Sequence, residues 1–153
     1  MPSLAPPYSV RAATPKDRAF LASLNTRSYR ELVIRQFGVW NEAEQAAKFA
    51  DKWRRGIYWI VARGEMPVGG VLIEEFPDHV FIGDIQIDGP ERGRGLGGRL
   101  LASIVAEAPA RHLPLRLRVL HENPARALYE RLGFRQYGIT ETHYLMEKTP
   151  DPA

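Results

Sequence analysis

The stretch ERGRGLGGRLL, residues 91–101, is the feature of this 153-residue chain that most constrains its fold. Four glycines lie within six residues, arginines are interspersed among them, and two leucines follow at once. Glycines this close together leave the backbone open to a close approach by a ligand or by another segment, because they carry no side chain. The stretch therefore indicates either a binding loop or a tight packing contact.

The pattern around this stretch predicts a mixed α/β (α+β) domain of element order β-α-α-β-β-β-α-β-α-β-β. The predicted strands are residues 8–13, 57–63, 67–76, 79–87, 114–120, 134–139 and 142–148. The predicted helices are residues 14–32 and 41–53, one that the glycines open and Pro109 stops, and one from Asn123 to Gly133. Short turns join the second, third and fourth strands, which predicts an antiparallel meander.

Length and composition favour one domain over residues 8–149, preceded by a flexible, proline-rich segment, residues 1–7. The chain has no cysteine, which excludes disulfides and a thiolate nucleophile. It shows neither a signal peptide nor a long apolar run, so we expect a cytoplasmic protein that has no membrane partner. Its 21 basic and 18 acidic residues are scattered without a like-charge block, so a nucleic-acid partner is not expected.

One interpretation of the glycines is a nucleotide-binding loop. Gly93, Gly95 and Gly98 satisfy G-x-G-x-x-G between a predicted strand and a helix, as a dinucleotide-binding fold requires. Residues 88–92, however, separate that strand from the glycines, and three strands of a meander come first, whereas the dinucleotide fingerprint stands early and turns tightly. A P-loop is excluded because no Gly-Lys-Ser/Thr follows.

The other interpretation takes residues 92–97, RGRGLG, as the unit R-x-x-G-x-G. Small residues expose several amide N–H groups at the start of a helix, where the helix dipole favours an anion. The arginines on both sides can add charge-assisted hydrogen bonds. This arrangement predicts a pyrophosphate cradle, and a merely glycine-rich turn remains the alternative.

A second motif, NPARALYERLGF, occupies residues 123–134 and follows a predicted strand. It resembles the second motif of the GNAT superfamily of acyl-CoA-dependent N-acyltransferases, and R-x-x-G-x-G resembles the first. The resemblance is sharpest over residues 79–148, while the amino-terminal half agrees only in element order. It implies a GNAT-like, mostly antiparallel central sheet of about six or seven strands flanked by about four helices.

The resemblance implies acetyl-CoA, or coenzyme A, as the cosubstrate and no metal. The strand ending at Ile87 would pair with the pantetheine arm, and an amide near Ile87 would polarise the thioester carbonyl. The cofactor-binding positions that carry over are Ile85, Gln86, Ile87, Arg92, Gly93, Arg94, Gly95, Leu96, Gly97, Gly98, Arg99, Asn123, Ala127 and Tyr129. Family members often carry a hydroxyl residue at the position of Gly98, so one phosphate contact is expected to be missing.

The implied reaction moves an acetyl group from acetyl-CoA to a primary amine by direct attack in a ternary complex. Tyr129 would protonate the departing thiolate as general acid, or it would only pack against the sheet, and Asn123 would contact the pantetheine arm or only cap its helix. Asp84 is the one acid inside the predicted strand 79–87 and is either the base or a structural hydrogen-bond acceptor. Weaker candidates for the base are Glu74, Glu75, His79 and His143.

Acceptor selection would fall to the first two helices and their connection. The polar and aromatic candidates there are Asn25, Arg27, Tyr29, Arg30, Glu31, Phe37 and Trp40. Tyr29 and Trp40 are expected to line the pocket because they lie near a predicted loop. The acceptor is a small-molecule or peptide amine; the alternatives are acetylation of a ribosomal or other protein N-terminus and a coenzyme-A-binding module without turnover. A homodimer is compatible with the resemblance, although no sequence feature requires one.

Overall fold

The computed structural model describes residues 2–107 and 112–150. Their elements are β1 (Tyr8–Ala12), α1 (Arg18–Phe37), α2 (Glu42–Arg55), β2 (Ile57–Arg63), β3 (Met66–Glu75), β4 (Val80–Ile87), α3 (Leu96–Val105), β5 (Leu115–Leu120), α4 (Arg126–Arg131), β6 (Arg135–Ile139) and β7 (His143–Lys148). Single 3₁₀ turns, Pro15–Asp17 and Gly89–Glu91, precede α1 and α3. The predicted element order is confirmed, while Pro109, predicted to stop α3, lies outside the described residues.

The seven strands form one sheet in the order β1-β2-β3-β4-β5-β7-β6. Neighbouring strands are antiparallel except β4 and β5, which are parallel, so the predicted mixed and mostly antiparallel architecture is confirmed. β4 pairs with β3 as far as Ile87. It pairs with β5 only over residues 80–82, which face residues 115–117. The two strands therefore splay apart, and the edge of β4 from Gly83 to Ile87 that faces β5 has no partner among the described strands.

Apolar side chains divide between the two faces of the sheet. On one face, the buried side chains of α3 and Tyr129 of α4 join strand residues such as Val71, Ile82 and Leu117 in the larger core cluster. On the other face, Leu21 of α1 and Phe49 of α2 pack against residues of β2 and β3. The sheet is thus covered on both sides, which leaves the splay between β4 and β5 as the place where a ligand can reach its middle.

A β-bulge interrupts β4 at Gly83. Leu72 pairs with Asp84 and the next residue, Ile73, pairs with Ile82, so Gly83 is the extra residue. A Cβ at Gly83 would lie 2.6 Å from the Leu72 side chain, which explains the glycine. Because the extra residue reverses the alternation, Ile82 and Ile85 both contact the larger core cluster, whereas Asp84 contacts α1, α2 and β2. The side chains of β4 therefore do not alternate regularly through Gly83.

The helix boundaries follow the predicted signals with two main differences. α4 begins at Arg126, after Ala125, rather than directly after the predicted cap Asn123, whose side chain accepts from the Ala125 amide. α1 continues five residues beyond the predicted Leu32, because buried Leu32 and Val33 prolong its apolar contact with the body of the domain. It ends before Gly38, which has a φ of 85° and whose N–H donates a hydrogen bond to the Ile34 carbonyl, closing the last turn. The predicted cap of α2 is confirmed, since the Asn41 side chain accepts a hydrogen bond from the Glu44 amide. In the described ranges, none of the helices has the length and apolar character needed to cross a bilayer.

The segment of residues 2–7 contacts the body of the domain. The Ser3 amide donates to Ser103 Oγ at 2.9 Å, and Leu4 packs against the larger core cluster. These contacts place the segment beside α3. The flexibility predicted for this segment concerns its motion and stays a prediction.

Candidate active site

The loop before α3 presents a run of free amides. Gly93 and Gly95 adopt positive φ values of 80° and 73°. The amides of residues 93–98 donate no hydrogen bond to any described residue, and they lie at the N-terminus of the ten-residue helix α3. A Cβ at Gly93 or at Gly95 would meet nothing within 4 Å, so the space around the loop is open. We call residues 92–98 the amide cradle; its polarity and position suit an anion.

Glu91 anchors the cradle to the sheet. It is buried, and its carboxylate accepts a hydrogen bond from Tyr8 Oη at 2.5 Å and contacts Arg63 at 3.4 Å and Arg94 at 3.5 Å. The Tyr8 hydrogen bond and the two guanidinium groups hold the pKa of Glu91 below its ordinary value. A charged anchor beneath the loop fixes the backbone, so that the free amides are positioned before a ligand arrives.

Two arginines at the ends of the cradle, Arg92 and Arg99, donate hydrogen bonds to nearby backbone carbonyls. Arg92 Nε donates to the Ile87 carbonyl at 2.9 Å, and an Arg99 guanidinium nitrogen donates to the Arg94 carbonyl at 2.9 Å. Both side chains are exposed and keep further N–H donors for a ligand. The predicted arginines therefore lie beside the free amides.

A cavity of about 630 Å³ opens where β4 and β5 diverge. Gly83, Asp84 and Ile85 form its wall on β4, and Leu117, Arg118 and Leu120 form its wall on β5. Side chains of α1 and α2 line it, and Asn123 and Tyr129 reach it from beyond the end of β5. The unpaired edge of β4 thus runs from this cavity directly to the amide cradle.

Tyr129 projects into the cavity from α4. Its side chain is buried, and its ring meets Phe134 edge-on with centroids 6.0 Å apart. Its hydroxyl makes no hydrogen bond within the part of the chain that the structure describes. Burial raises the pKa of Tyr129 to about 12, and the negative charge of Asp84 contributes to that shift. The phenol therefore keeps its proton at neutral pH and has a free O–H to donate.

Asp84 is the centre of a buried polar cluster and is only 3% exposed. Its carboxylate accepts hydrogen bonds from Tyr58 Oη at 2.7 Å, Lys52 Nζ at 3.1 Å and Tyr29 Oη at 3.3 Å. Burial, followed by the charge of Asp84, raises the pKa of both phenols. Donors thus engage both carboxylate oxygens of Asp84 beneath the cavity.

His143, the first residue of β7, also lines the cavity, and Thr142 Oγ1 lies 2.7 Å from its Nδ1. Partial burial, followed by the positive charge of Arg118, lowers the pKa of His143 to about 4. The ring is therefore neutral at pH 7. The other weak candidates for the base, Glu74, Glu75 and His79, do not belong to the described cavity lining.

The residues predicted to select the acceptor are only partly brought together. Asn25, Tyr29 and Phe37 line the cavity, but Arg27, Arg30, Glu31 and Trp40 are not part of its described lining. Tyr29 lies within α1 rather than near a loop. Asn25 Oδ1 accepts a hydrogen bond from Gln86 Nε2 at 3.1 Å, so the predicted cofactor residue Gln86 turns its side chain toward α1.

The sequence analysis did not anticipate Lys52 and Arg118 in the cavity lining, or Tyr58, which donates to Asp84 beneath it. The available signal for Lys52 and Tyr58 was Asp84 itself, because a carboxylate inside an apolar strand requires partners. No sequence feature pointed to Arg118, because an arginine on the exposed face of a strand is common.

Among the described residues no group of three or more His, Asp or Glu side chains is arranged to hold a metal ion. The groups available for a ligand are instead backbone amides, an unpaired strand edge and the Tyr129 hydroxyl. They suit a long ligand with an anionic end and an extended, hydrogen-bonding arm.

Comparisons with known proteins agree with this geometry. The sequence model of the acetyltransferase (GNAT) family matches residues 22–134. No curated protein sequence matches the chain significantly.

Solved structures of similar fold cover nearly the whole chain. PaiA N-acetyltransferase from Thermoplasma acidophilum, in complex with coenzyme A, has a TM-score of 0.76 and 13% identity, with 93% of this chain and 98% of that chain covered. An acetyltransferase from Thermus thermophilus has a TM-score of 0.73 and 20% identity, covering 97% and 99%. The ribosomal-protein-S18-alanine N-acetyltransferase from Escherichia coli has a TM-score of 0.71 and 21% identity, covering 95% and 96%. At these identities the likeness concerns the fold.

Proposed function

The chain belongs to the acetyltransferase (GNAT) family, and we propose that it transfers the acetyl group of acetyl-CoA to the primary amine of an acceptor bound at the same time. The observation that carries this proposal is the spatial order of the features along the unpaired edge of β4. The unpaired part of β4 begins at the cavity that holds the Tyr129 hydroxyl and ends at the amide cradle. An anionic ligand with an extended arm and a reactive end fits this order.

The coenzyme would use backbone groups for most of its contacts. The amides of residues 93–98 would bind the pyrophosphate, with Arg92 and Arg99 beside them. The edge of β4 through residues 85–87 would pair with the pantetheine arm as a neighbouring strand does. Asn123 already uses Oδ1 to accept from the Ala125 amide at 2.9 Å, so its side-chain nitrogen is the group available for the arm.

The chemistry would take place where β4 meets the cavity. The amine nitrogen attacks the thioester carbonyl, a C–N bond forms, and an amide of β4 stabilises the oxyanion. The C–S bond then breaks, and Tyr129 donates its proton to the departing thiolate. A free hydroxyl that stays protonated at neutral pH is suited to this role. The amine proton leaves to solvent or to a base.

Asp84 remains a candidate for the base. Lys52 and two phenols engage both of its oxygens, so it would have to release a donor before it took a proton. We favour a second role for it, in which its negative charge stabilises the positive charge that develops on the attacking nitrogen. Tyr29 stays a proposed cavity contact, and Trp40 has no described contact with the cavity.

The acceptor is not identified by family membership, and neither alternative gains support from a feature of this site. One structural neighbour is a ribosomal-protein-S18-alanine N-acetyltransferase, and at 21% identity its likeness to this chain concerns the fold alone. A coenzyme-A-binding module without turnover would have no use for a free Tyr129 hydroxyl in the cavity. These alternatives separate by experiment.

The decisive variant is Tyr129→Phe, which removes one hydroxyl and keeps the ring packing against Phe134. We expect thiol release from acetyl-CoA, measured with a panel of primary amines, to fall by about 10²- to 10⁴-fold, the usual contribution of a general acid. The dissociation constant for acetyl-CoA, measured by calorimetry, should stay within about twofold. Tyr137→Phe, an exposed site on β6, is the matched control.

Unchanged turnover in Tyr129→Phe would refute the role of the hydroxyl. Acetyl-CoA binding by both proteins without thiol release from any amine would favour the binding module.

A further inference from the structure

We propose that the acceptor amine also carries an oxyanion and an apolar side chain, and that Arg118 binds the oxyanion. The simplest molecule of this kind is a free apolar α-amino acid. This inference rests on the proposed acetyl transfer and names the substrate class of the same cavity.

Among the described charged side chains that line the cavity, one cation has no carboxylate partner. Four basic side chains line it among the described residues, and three have a carboxylate partner. The pairs are Lys48–Glu44 at 3.3 Å, Lys52–Asp84 at 3.1 Å and Arg55–Asp51 at 3.0 Å. Arg118 has no carboxylate partner within the described ranges. An anion that enters the cavity therefore meets an uncompensated guanidinium.

Arg118 is held in a position to bind such an anion. It lies on β5, in register with Leu145 of β7, and its guanidinium lies over the Phe81 ring with 5.6 Å between the carbon Cζ and the centroid. This cation–π contact favours the observed position of the group. No described side chain or carbonyl accepts from its N–H groups, which can bind a carboxylate or a phosphate through two parallel hydrogen bonds. His143, neutral at pH 7, lines the same cavity and adds no second positive charge beside Arg118.

One part of the wall opposite the strands, at the end of α1, is apolar, whereas the residues of α2 that line the cavity are polar. Val33, Phe37 and Val39 line the cavity at the end of α1, and the last two are 48% and 64% exposed. Large apolar side chains that stay exposed inside a cavity favour an apolar part of the ligand. A polyamine would expose only methylenes to this wall and would bring a second ammonium group toward Arg118. The lining therefore opposes a polycationic acceptor.

The test compares four acceptors that share one phenylalkyl side chain. L-phenylalanine carries a carboxylate, its aminophosphonate analogue carries a phosphonate, and L-phenylalaninamide and 2-phenylethylamine carry neither. Thiol release from acetyl-CoA is measured for each with the wild type, with Arg118→Gln and with Arg118→Lys. The ratio between wild type and variant is compared for each acceptor, because the intrinsic reactivity of the amine cancels in that ratio.

Arg118→Gln should lower kcat/KM about 10- to 100-fold for an anionic acceptor, which is the range of a charge-assisted hydrogen bond. The loss should appear in KM, because Arg118 binds the acceptor away from the reacting atoms. The two acceptors without an oxyanion should be unaffected, and Arg118→Lys, which keeps the positive charge but cannot donate two parallel hydrogen bonds, should lie between. Arg135→Gln, an exposed site on β6, removes one positive charge elsewhere and should change nothing. Whether L-phenylalanine or its phosphonate loses more tells which oxyanion the site prefers.

Calorimetry with N-acetyl-L-phenylalanine and the coenzyme-A-loaded protein gives a second readout that needs no turnover. Binding should weaken by the same factor in Arg118→Gln. Equal loss for acceptors with and without an oxyanion, or a product affinity that does not depend on Arg118, would overturn the inference while leaving acetyl transfer intact. If acetyl-CoA itself neither binds nor loses its acetyl group, the proposed function fails first.

Discussion

Replacing Gly95 by alanine tests the backbone geometry of the amide cradle. Gly95 has φ 73° and ψ 15°, a left-handed conformation that costs an alanine about 1–2 kcal/mol. An added Cβ would meet no atom within 4 Å, so conformational strain is the whole effect. At about 2–4 °C per kcal/mol for a domain of this size, we expect the melting temperature to fall by about 2–8 °C.

Gly97→Ala, two residues away, should have the opposite sign. Gly97 lies in the first turn of α3, and an added Cβ would make an ordinary 3.9 Å contact with Leu128. Alanine in a helix is favoured over glycine by up to about 1 kcal/mol, so the melting temperature should rise by about 1–4 °C. The two variants add the same methyl group to the same loop.

The assay is a thermal melt of each protein with and without acetyl-CoA. A ligand at about 100 times its dissociation constant stabilises the wild type by roughly 2.7 kcal/mol. Gly97→Ala should keep that stabilisation, because its amide is unchanged. Gly95→Ala should lose part of it, because a residue that leaves the left-handed region turns the neighbouring amides away from their common target. A Gly95→Ala protein that melts and binds like the wild type would refute this reasoning, as would two shifts of the same sign.

Two further variants test the interior of the cavity. Asp84→Asn should lower the free energy of unfolding by up to about 3 kcal/mol in a urea titration, because it leaves the partly buried Lys52 without its counter-ion; a loss below about 0.5 kcal/mol, the range of an ordinary surface substitution, would contradict the cluster. His143 has a pKa of about 4 in the folded protein, below its ordinary 6.5, so the unfolded chain binds the proton first and stability should fall as the pH drops from 6.5 to 4. His143→Gln should lack that component when denaturation midpoints are compared across this range, and identical slopes would contradict the assigned pKa.

The features predicted well from the sequence are those that local interactions determine. The amide cradle depends on closely spaced glycines, and α4 lies between the turn in which the Asn123 side chain accepts from the Ala125 amide and Gly133, whose φ is 98°. Each of these signals lies within a few residues of the structure that it specifies. The antiparallel meander of β2, β3 and β4 could be predicted equally well, because the short turns make consecutive strands pair with each other.

The features that escaped prediction depend on contacts between distant segments. The bulge at Gly83 arises from the register between β3 and β4, and one extra residue moves Asp84 to the opposite face from Ile82. The donors to Asp84 come from three separate elements, so its partners could not be named from the strand alone. Arg118 is a candidate because β5 borders the splay between β4 and β5, which depends on contacts far apart in the sequence.

The central claim is that acetyl-CoA lies along the unpaired edge of β4 with its pyrophosphate at the amide cradle. Hydrogen–deuterium exchange of the whole chain, with and without saturating acetyl-CoA, measures this directly, because the amides of residues 93–98 have no partner among the described residues. We predict slower exchange in residues 83–98 on binding, with no change in β1 and β6 at the two ends of the sheet. Binding that leaves residues 83–98 exchanging as before, or that protects another surface instead, would contradict the account.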